Sequence, residues 1–113
     1  MAETFKLEIK DYSEEALKAM YEQAILALGL IGDEAEGYAK DECPVHTGTL
    51  RNSIANQVVS DDYAVQVGTN VEYAPYVEYG DMHHKVGKKH FLRDSIANHE
   101  ERYKAILKAA LQD

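Results

Sequence analysis

The sequence predicts an α+β fold with one long N-terminal helix, a small antiparallel β-sheet, a short middle helix and a C-terminal helix. Two patterns predict it. Apolar residues recur every three to four positions across residues 13–42 and again after residue 91, which is helical spacing. Polar and apolar residues alternate in two other segments, which is strand spacing. Because the chain has 113 residues, a single domain spanning 1–113 is expected.

The first strand is predicted at residues 4–10, where Thr4-Phe5-Lys6-Leu7 opens an alternating run. A helix should follow, with Asp11 or Ser13 as its cap. It should end before Pro44, because proline disfavours helical geometry at the preceding residue. The apolar stripe of this helix consists of Leu17, Met20, Tyr21, Ala24, Leu28, Ile31, Ala35 and Tyr38.

The length of this helix raises a packing problem. A continuous helix over residues 13–42 would be about 45 Å long, whereas a compact chain of this size has a radius of gyration of about 13 Å. The helix should therefore bend or project beyond the core. Gly29 and Gly32 are the expected places for a bend, since glycine weakens a helix.

Within this helix, the stretch Ala24–Ile31 is apolar on every side. A helix on a protein surface normally keeps one polar face. The stretch is therefore either a central helix covered by its own domain or a surface covered by a partner. Leu28 and Ile31 are the candidate interface residues for the second alternative.

A turn and a hairpin are predicted next. Pro44–Leu50 has turn composition, and Gly48 should adopt a left-handed backbone there. The segments Asn52–Ser60 and Tyr63–Gly68 read as two antiparallel strands. Asp61 and Asp62, between them, should form a tight turn.

A short helix is predicted over Tyr73–Gly80, with Pro75 in its first turn and a left-handed Gly80 at its end. Its three tyrosines are spaced by three and share one face, which suits either core packing or a protein interface. They are Tyr73, Tyr76 and Tyr79. A polar, basic loop from Asp81 to His90 precedes the C-terminal helix, which begins at Phe91.

Charge excludes some classes of function. The 20 acidic and 12 basic residues give a formal charge of -8, which makes the chain a poor general binder of DNA phosphates. It has neither an apolar run of membrane-spanning length nor a signal-peptide pattern, so a cytoplasmic location is expected.

Charge is unevenly distributed along the chain. Acids dominate residues 1–42, whereas residues 83–93 are basic. Opposite charges on two regions can attract copies of one chain through Lys85, Lys88, Lys89 and Arg93.

The residue types suggest two kinds of catalytic site. A metal-dependent enzyme could use Asp81, His83, His84 and His90 as ligands, but their spacing matches no ligand motif. Cys43 and His46 could serve as nucleophile and base, but no orienting acid or oxyanion hole is evident. A solvated loop and a structural cysteine are the favoured interpretations, and no cofactor is expected.

Three segments, in this order, carry a family resemblance: Pro44–Ile54, Val67–Gly80 and His90–Ile96. The chain resembles the head–tail joining proteins of long-tailed bacteriophages and prophages, also described as neck, minor tail-component or tail-completion proteins. His46, His90 and Asp94 depart from the usual pattern. The matching positions are Pro44, Thr47, Gly48, Leu50, Arg51, Ser53, Tyr73, Ala74, Glu78, Gly80, Phe91, Leu92 and Arg93.

The resemblance implies a non-catalytic virion protein assembled in the bacterial host cytoplasm. Such proteins form rings, usually of six subunits, where the neck meets the tail tube, and double-stranded DNA passes through the ring. The implied partners are further copies of the chain, the connector or head-closure proteins, and the tail-terminator or tail-tube proteins. A metal-dependent enzyme and a nucleic-acid-binding module that uses the basic loop are the alternatives.

Overall fold

The computed structural model describes residues 2–7, 13–43, 48–71 and 90–111 and confirms the α+β class. The predicted helix at Tyr73–Gly80 and most of the basic loop, up to Lys89, lie outside these residues. The elements are β1 (Ala2–Lys6), α1 (Glu14–Ala19), α2 (Tyr21–Glu42), α3 (Thr49–Ser53), β2 (Ala55–Val59), β3 (Ala64–Gly68), α4 (Phe91–Ala97) and α5 (Glu100–Leu111).

The long N-terminal helix is interrupted at Met20, not at a glycine. Met20 has φ -109° and ψ 14°, and it separates α1 from α2. Its N–H donates to the Ala16 carbonyl at 3.0 Å, and its own carbonyl accepts from Ala24 at 2.9 Å, so hydrogen bonding continues across the break. The predicted cap is confirmed: the Ser13 hydroxyl accepts from the Ala16 N–H at 3.0 Å.

The glycines proposed for the bend, Gly29 and Gly32, lie inside α2. Gly32 has a packing role, because an added Cβ would lie 2.7 Å from Cγ2 of Val65 in β3. The missing side chain allows α2 to approach the sheet closely. Gly29 and Gly32 therefore do not mark the interruption of the helix, which lies at Met20.

The sheet has three antiparallel strands in the order β1-β3-β2. The central strand contributes Val65 and Val67 to the core, as the alternating pattern predicts. Gln66 lies on the opposite face, aligned with Thr4 of β1 and Gln57 of β2. One sheet face therefore packs on the helices, and the other exposes polar side chains at its centre.

The hairpin between β2 and β3 is confirmed, but its turn is longer than two residues. Ser60–Asp62 form a 3-10 turn, and Tyr63 follows in a left-handed conformation with φ 49°. The Tyr63 ring packs edge-on against Tyr21 at 5.9 Å between centroids. Its carbonyl accepts from the Leu7 N–H at 2.8 Å, which joins the turn to the end of β1.

The segment before β2 corrects a second expectation. Residues 52 and 53 were predicted as strand, but Thr49–Ser53 form the short helix α3. Gly48 precedes it with φ 82°, which confirms the predicted left-handed backbone. The Gly48 carbonyl accepts from the Asn52 N–H at 2.9 Å, so this turn starts a helix before the strand begins.

The core lies between the sheet and helices α2, α4 and α5. The C-terminal apolar stripe is confirmed, but a turn at residues 98–99 divides it into two helices. Tyr103 is fully buried, and its ring meets the edge of Phe5 at 5.5 Å. Its hydroxyl donates to the Ser95 carbonyl near the end of α4. This hydrogen bond satisfies one of the carbonyls that a helix end leaves open.

Candidate functional site

The apolar stretch of α2 is divided between the core and the surface. Leu28 and Ile31 have no exposed surface in the single chain. These two candidate interface residues are therefore enclosed by their own chain and belong to its core cluster, which matches the first of the two alternatives. Their contact with a neighbouring subunit stays a prediction.

The exposed part of this stretch is formed by two other leucines. Leu26 is 70% exposed and Leu30 is 60% exposed, and they are four residues apart on one face of α2. Tyr21 is 41% exposed at the start of the helix. Two adjacent leucines projecting into solvent are more informative than scattered apolar residues, because a contiguous apolar surface is typical of a binding site.

The sequence contained a signal for these residues. Leu26 and Leu30 do not belong to the stripe at spacings of three and four that includes Leu28 and Ile31. At 100° per residue they fall on the opposite side of the helix. An apolar residue outside the core stripe of a helix is a candidate surface contact.

Helix α5 packs beside α2 and runs antiparallel to it. Arg102 donates two hydrogen bonds to the Glu34 carboxylate, at 2.8 and 3.2 Å. The His99 ring stacks on Tyr38, with centroids 3.6 Å apart and an interplanar angle of 7°. Because a later residue of α5 pairs with an earlier residue of α2, the two helices run in opposite directions.

The ion pair between α2 and α5 is open to solvent. The Glu34 and Arg102 side chains are 32% and 60% exposed. The hydrogen bonds from Arg102 lower the pKa of the Glu34 carboxyl group. The pair therefore marks the solvent side of the groove between the two helices.

Two exposed rows of side chains extend from this ion pair. On α2 the row runs back from Glu34 to Leu30 and Leu26, and on α5 it runs forward from Arg102 to Ala105 and Ala109. These alanines are exposed. The two rows meet at the ion pair and lie on the same side of the molecule. We call this surface the α2–α5 face, defined by Leu26, Leu30, Glu34, Arg102, Ala105 and Ala109.

Both rims of the α2–α5 face carry acids and lysines. Glu22 and Asp33 are exposed along the rim of α2, where Lys40 pairs with Glu36 at 3.2 Å. Asp33 accepts a hydrogen bond from Asn56 of β2 at 3.2 Å, which places this rim away from α5. Lys104 and Lys108 are exposed along the far rim of α5, with Glu100 and Glu101 near the ion-pair end. The centre of the face is therefore apolar, and both of its edges carry mixed charge.

The family-motif residues that the structure describes have local structural roles. Leu50, Phe91 and Leu92 are buried, whereas Arg51 and Arg93 are exposed. The motif positions outside the described residues are Pro44, Thr47, Tyr73, Ala74, Glu78 and Gly80. The interface candidates outside them are Tyr73, Tyr76, Tyr79, Lys85, Lys88 and Lys89.

Ser53 of the motif links α3 to the chain after β3. Its hydroxyl donates to the Leu50 carbonyl at 2.6 Å and also contacts the Thr69 hydroxyl. Thr69 in turn accepts from the Val71 N–H at 3.1 Å. These hydrogen bonds hold the start of β2 beside the end of β3, close to where the second motif segment, Val67–Gly80, begins.

The described residues give little support to either catalytic alternative, the metal site or the pair of Cys43 and His46. Within residues 2–7, 13–43, 48–71 and 90–111, no three potential metal ligands cluster. Asp81, His83 and His84 lie outside these ranges. Cys43 is buried, and burial raises the pKa of its thiol, which disfavours the nucleophilic thiolate.

A groove of about 380 Å³ lies at one end of the sheet, and none of the described residues that line it has a titratable side chain. Those residues therefore supply no acid, base or thiol for catalysis. Its lining residues are Ala2, Ser53, Ala55, Asn56, Gln57, Gln66, Gly68, Thr69 and Asn70.

Comparison with protein families decides the assignment. The model of the HK97-gp10-like family, described as "Bacteriophage HK97-gp10, putative tail-component", matches residues 3–80. The chain belongs to this family. The resemblance is therefore confirmed at the level of a structural tail component of bacteriophages, for which the virion is the indicated location.

The match runs from β1 past β3, and it ends before α4 and α5. No curated protein and no solved structure matches the chain. None of the described helices is long and apolar enough to cross a membrane.

Proposed function

We propose that this tail component is a structural protein of the phage neck, where it joins the DNA-filled head to the tail as part of a ring around the DNA channel. The observation that carries the proposal is the exposed pair Leu26 and Leu30 on the longest helix of a tail-component family member. Such a surface suits a protein whose role is to contact other subunits.

A closed ring requires two different complementary surfaces, because each subunit contacts the next head to tail. The sequence supplies a basic segment with Lys85, Lys88 and Lys89, and an acidic N-terminal region. In the proposed ring, these lysines contact the acidic surface of the next subunit. Tyr73, Tyr76 and Tyr79 are further candidate interface residues. The ring size of six comes from the family resemblance.

The charge of the chain fits passage of DNA without binding. Cationic walls would hold phosphates, whereas acidic walls repel them. Because the formal charge is -8, a surface that lines the channel is expected to be acidic. The N-terminal helices, with exposed Glu22, Asp33 and Asp41, are the richest described source of negative charge.

The proposal is tested with a phage that lacks this protein and is complemented from a plasmid. Without the protein, DNA-filled heads and complete tails should accumulate unjoined in electron micrographs, and wild-type protein added to the lysate should join them. Tails that are absent or abnormal in length would contradict a joining role. They would place the protein in tail assembly itself.

The basic segment is tested by complementation with a Lys85→Glu/Lys88→Glu/Lys89→Glu variant. If these lysines contact a neighbouring subunit, joining should fail, and the defect should be larger at low salt, where exposed charges act over longer distances. Lys6→Glu, which reverses an exposed lysine on β1, is the matched control. Normal particles that lose their DNA would instead place the segment in the channel.

A further inference from the structure

The sheet ends on two edge strands of equal length. β1 and β2 each pair with β3 alone among the described strands. Both are antiparallel to β3, so they run parallel to each other. They are also level, because Thr4 of β1 and Gln57 of β2 both lie opposite Gln66 of β3 and the ends of the three strands coincide.

The register of β1 shows which of its backbone groups point away from β3. In an antiparallel pair, residues that exchange hydrogen bonds with the partner strand alternate with residues whose N–H and C=O groups point to the other side. The Leu7 N–H donates to the Tyr63 carbonyl at 2.8 Å and extends the ladder of β1 and β3 by one pair. Leu7 is therefore of the first kind, and the groups of Ala2, Thr4 and Lys6 point outwards.

The same alternation passes through β3 to the other edge. The groups of Val65 are used by β1, so those of Gln66 face β2 and pair with Gln57. The neighbours of Gln57 in β2, Asn56 and Val58, therefore point their N–H and C=O groups outwards. Within residues 2–7, 13–43, 48–71 and 90–111, no backbone hydrogen bond outside the sheet uses these groups or the outward groups of β1.

β2 lacks the features that usually protect a strand edge from pairing. From Ala55 to Val59 it contains no charged residue, proline or glycine, and its pairing with β3 is continuous, without a bulge. Backbone groups on such an edge are a template for another strand, because a strand can satisfy them with its own N–H and C=O groups. The partner that this edge fits is therefore a β-strand.

β1 of a second copy fits the edge of β2 in the level register. In a parallel pair, one residue bonds through both of its backbone groups to the two residues that flank its opposite position. With Thr4 of one copy opposite Gln57 of the next, the Thr4 N–H donates to the Asn56 carbonyl and the Thr4 carbonyl accepts from the Val58 N–H. The outward groups two residues before and after Thr4 pair with the other two groups of β2. All four outward groups of β2 are then bonded.

We propose that β1 of one copy pairs in parallel with β2 of the next, so that the sheet continues from subunit to subunit. The choice of this pairing rests on the proposed ring, because a contact between two different edges can close a ring, whereas β1 against β1 or β2 against β2 joins two copies only. A closed ring of this kind leaves no strand edge open. The contact uses backbone groups, so Lys6→Glu should leave it in place and remains a control for the basic segment.

The first test is disulfide cross-linking in particles of a phage that lacks this protein and is complemented with variants. The side chains of Thr4 and Gln57 are exposed, and the proposed contact brings them together. Under mild oxidation, Thr4→Cys/Gln57→Cys should form a ladder of dimers, trimers and larger species. Lys6→Cys/Ala55→Cys, at opposite ends of the paired strands, is the matched control and should form none. The wild type, whose Cys43 is buried, should also stay monomeric on the gel.

Single cysteine variants distinguish the three ways in which the edges can pair. Thr4→Cys alone and Gln57→Cys alone should give no cross-linked species. Dimers of Thr4→Cys alone would show β1 against β1, dimers of Gln57→Cys alone would show β2 against β2, and either result would overturn the proposal. So would the absence of a ladder in particles that contain the double variant.

The backbone contact is tested with proline. Thr4→Pro removes an outward N–H of β1 but none of its hydrogen bonds to β3, so the variant should keep the circular dichroism spectrum of the wild type. It should reduce the yield of infectious particles several-fold. Thr4→Val retains the N–H at the same exposed position and should complement fully. A folded Thr4→Pro variant that complements as well as Thr4→Val would contradict the strand contact.

The strand contact and the neck proposal can fail separately. Cross-linking does not depend on where in the particle the ring lies, and the joining assay does not depend on how the subunits contact each other. A ladder in particles with abnormal tails would support the strand contact and contradict the neck. Unjoined heads and tails in the absence of the protein, without a ladder from the double variant, would do the reverse.

Discussion

Gly32 of α2 and Asn56 of β2 are in such close contact that no side chain fits between them. A Cβ added at Gly32 would lie 2.9 Å from Cγ of Asn56 and 2.7 Å from Cγ2 of Val65. Asn56 is also held from α2, because its amide donates to Asp33 at 3.2 Å and to Glu36 at 3.1 Å. The position of the long helix on the sheet is therefore set by one absent side chain and one bridging amide.

We expect Gly32→Ala to lower the free energy of unfolding by about 1–3 kcal/mol, because the methyl group forces α2 away from the sheet. Gly29→Ala and Gly37→Ala are matched controls in the same helix, since an added Cβ there meets nothing within 4 Å. They should stabilise the protein by about 0.5–1 kcal/mol through helix propensity. Urea unfolding followed by circular dichroism measures all three. Equal effects at the three glycines would show that the close contact of Gly32 with Asn56 and Val65 does not determine the change in the free energy of unfolding.

Leu28 and Leu30 lie two residues apart but on opposite sides of α2. Leu28→Ala should cost about 2–5 kcal/mol, because it leaves a cavity in the core. Leu30→Ala should change the stability of the monomer by less than about 0.5 kcal/mol, because the side chain is exposed. The measurement is urea unfolding at a concentration where the protein is monomeric. Similar losses at both positions would show that Leu30 is covered within the single chain.

The ion pair between Glu34 and Arg102 should make stability depend on pH. The pKa of Glu34 is lowered in the folded chain, so its contribution is present above the unfolded pKa and is lost as pH falls through the folded pKa. Glu34→Gln should therefore lower the urea midpoint slightly at neutral pH. The difference from wild type should close as pH falls below the usual range for glutamate. A constant difference across this range would assign the effect to packing.

The fourth prediction concerns the hydroxyl group of Tyr103. Tyr103→Phe removes the donor to the Ser95 carbonyl but retains the ring that packs against Phe5. We expect a loss of about 1–2 kcal/mol in the free energy of unfolding, because a buried carbonyl then loses its donor. Tyr21→Phe, on a ring that is partly exposed, is the control and should be nearly neutral. An unchanged stability in Tyr103→Phe would show that water or another donor replaces the hydroxyl.

Local patterns in the sequence were sufficient for much of the fold. Alternation identified the strand that places Val65 and Val67 in the core, and Ser13 was one of two residues predicted to cap the first helix, with Asp11 as the other. The left-handed turn at Gly48 also followed from residue type, because glycine enters that conformation at little cost. Each of these features depends on a few neighbouring residues, so each could be predicted without the rest of the chain.

Other features depend on contacts between distant segments, and only the tertiary structure decided them. The stretch around Leu28 and Leu30 is apolar on every side. The stripe that includes Leu28 indicated one face for the core, but only the packing of α2 on the other elements showed that Leu30 stays exposed. The interruption falls at Met20, whereas Gly32 lies inside α2 and is packed against β2 and β3. The pairing of Glu34 with Arg102 joins residues 68 positions apart, which no local pattern specifies. Side-chain periodicity determines which faces a helix has, whereas packing between elements determines which of those faces remains exposed to a partner.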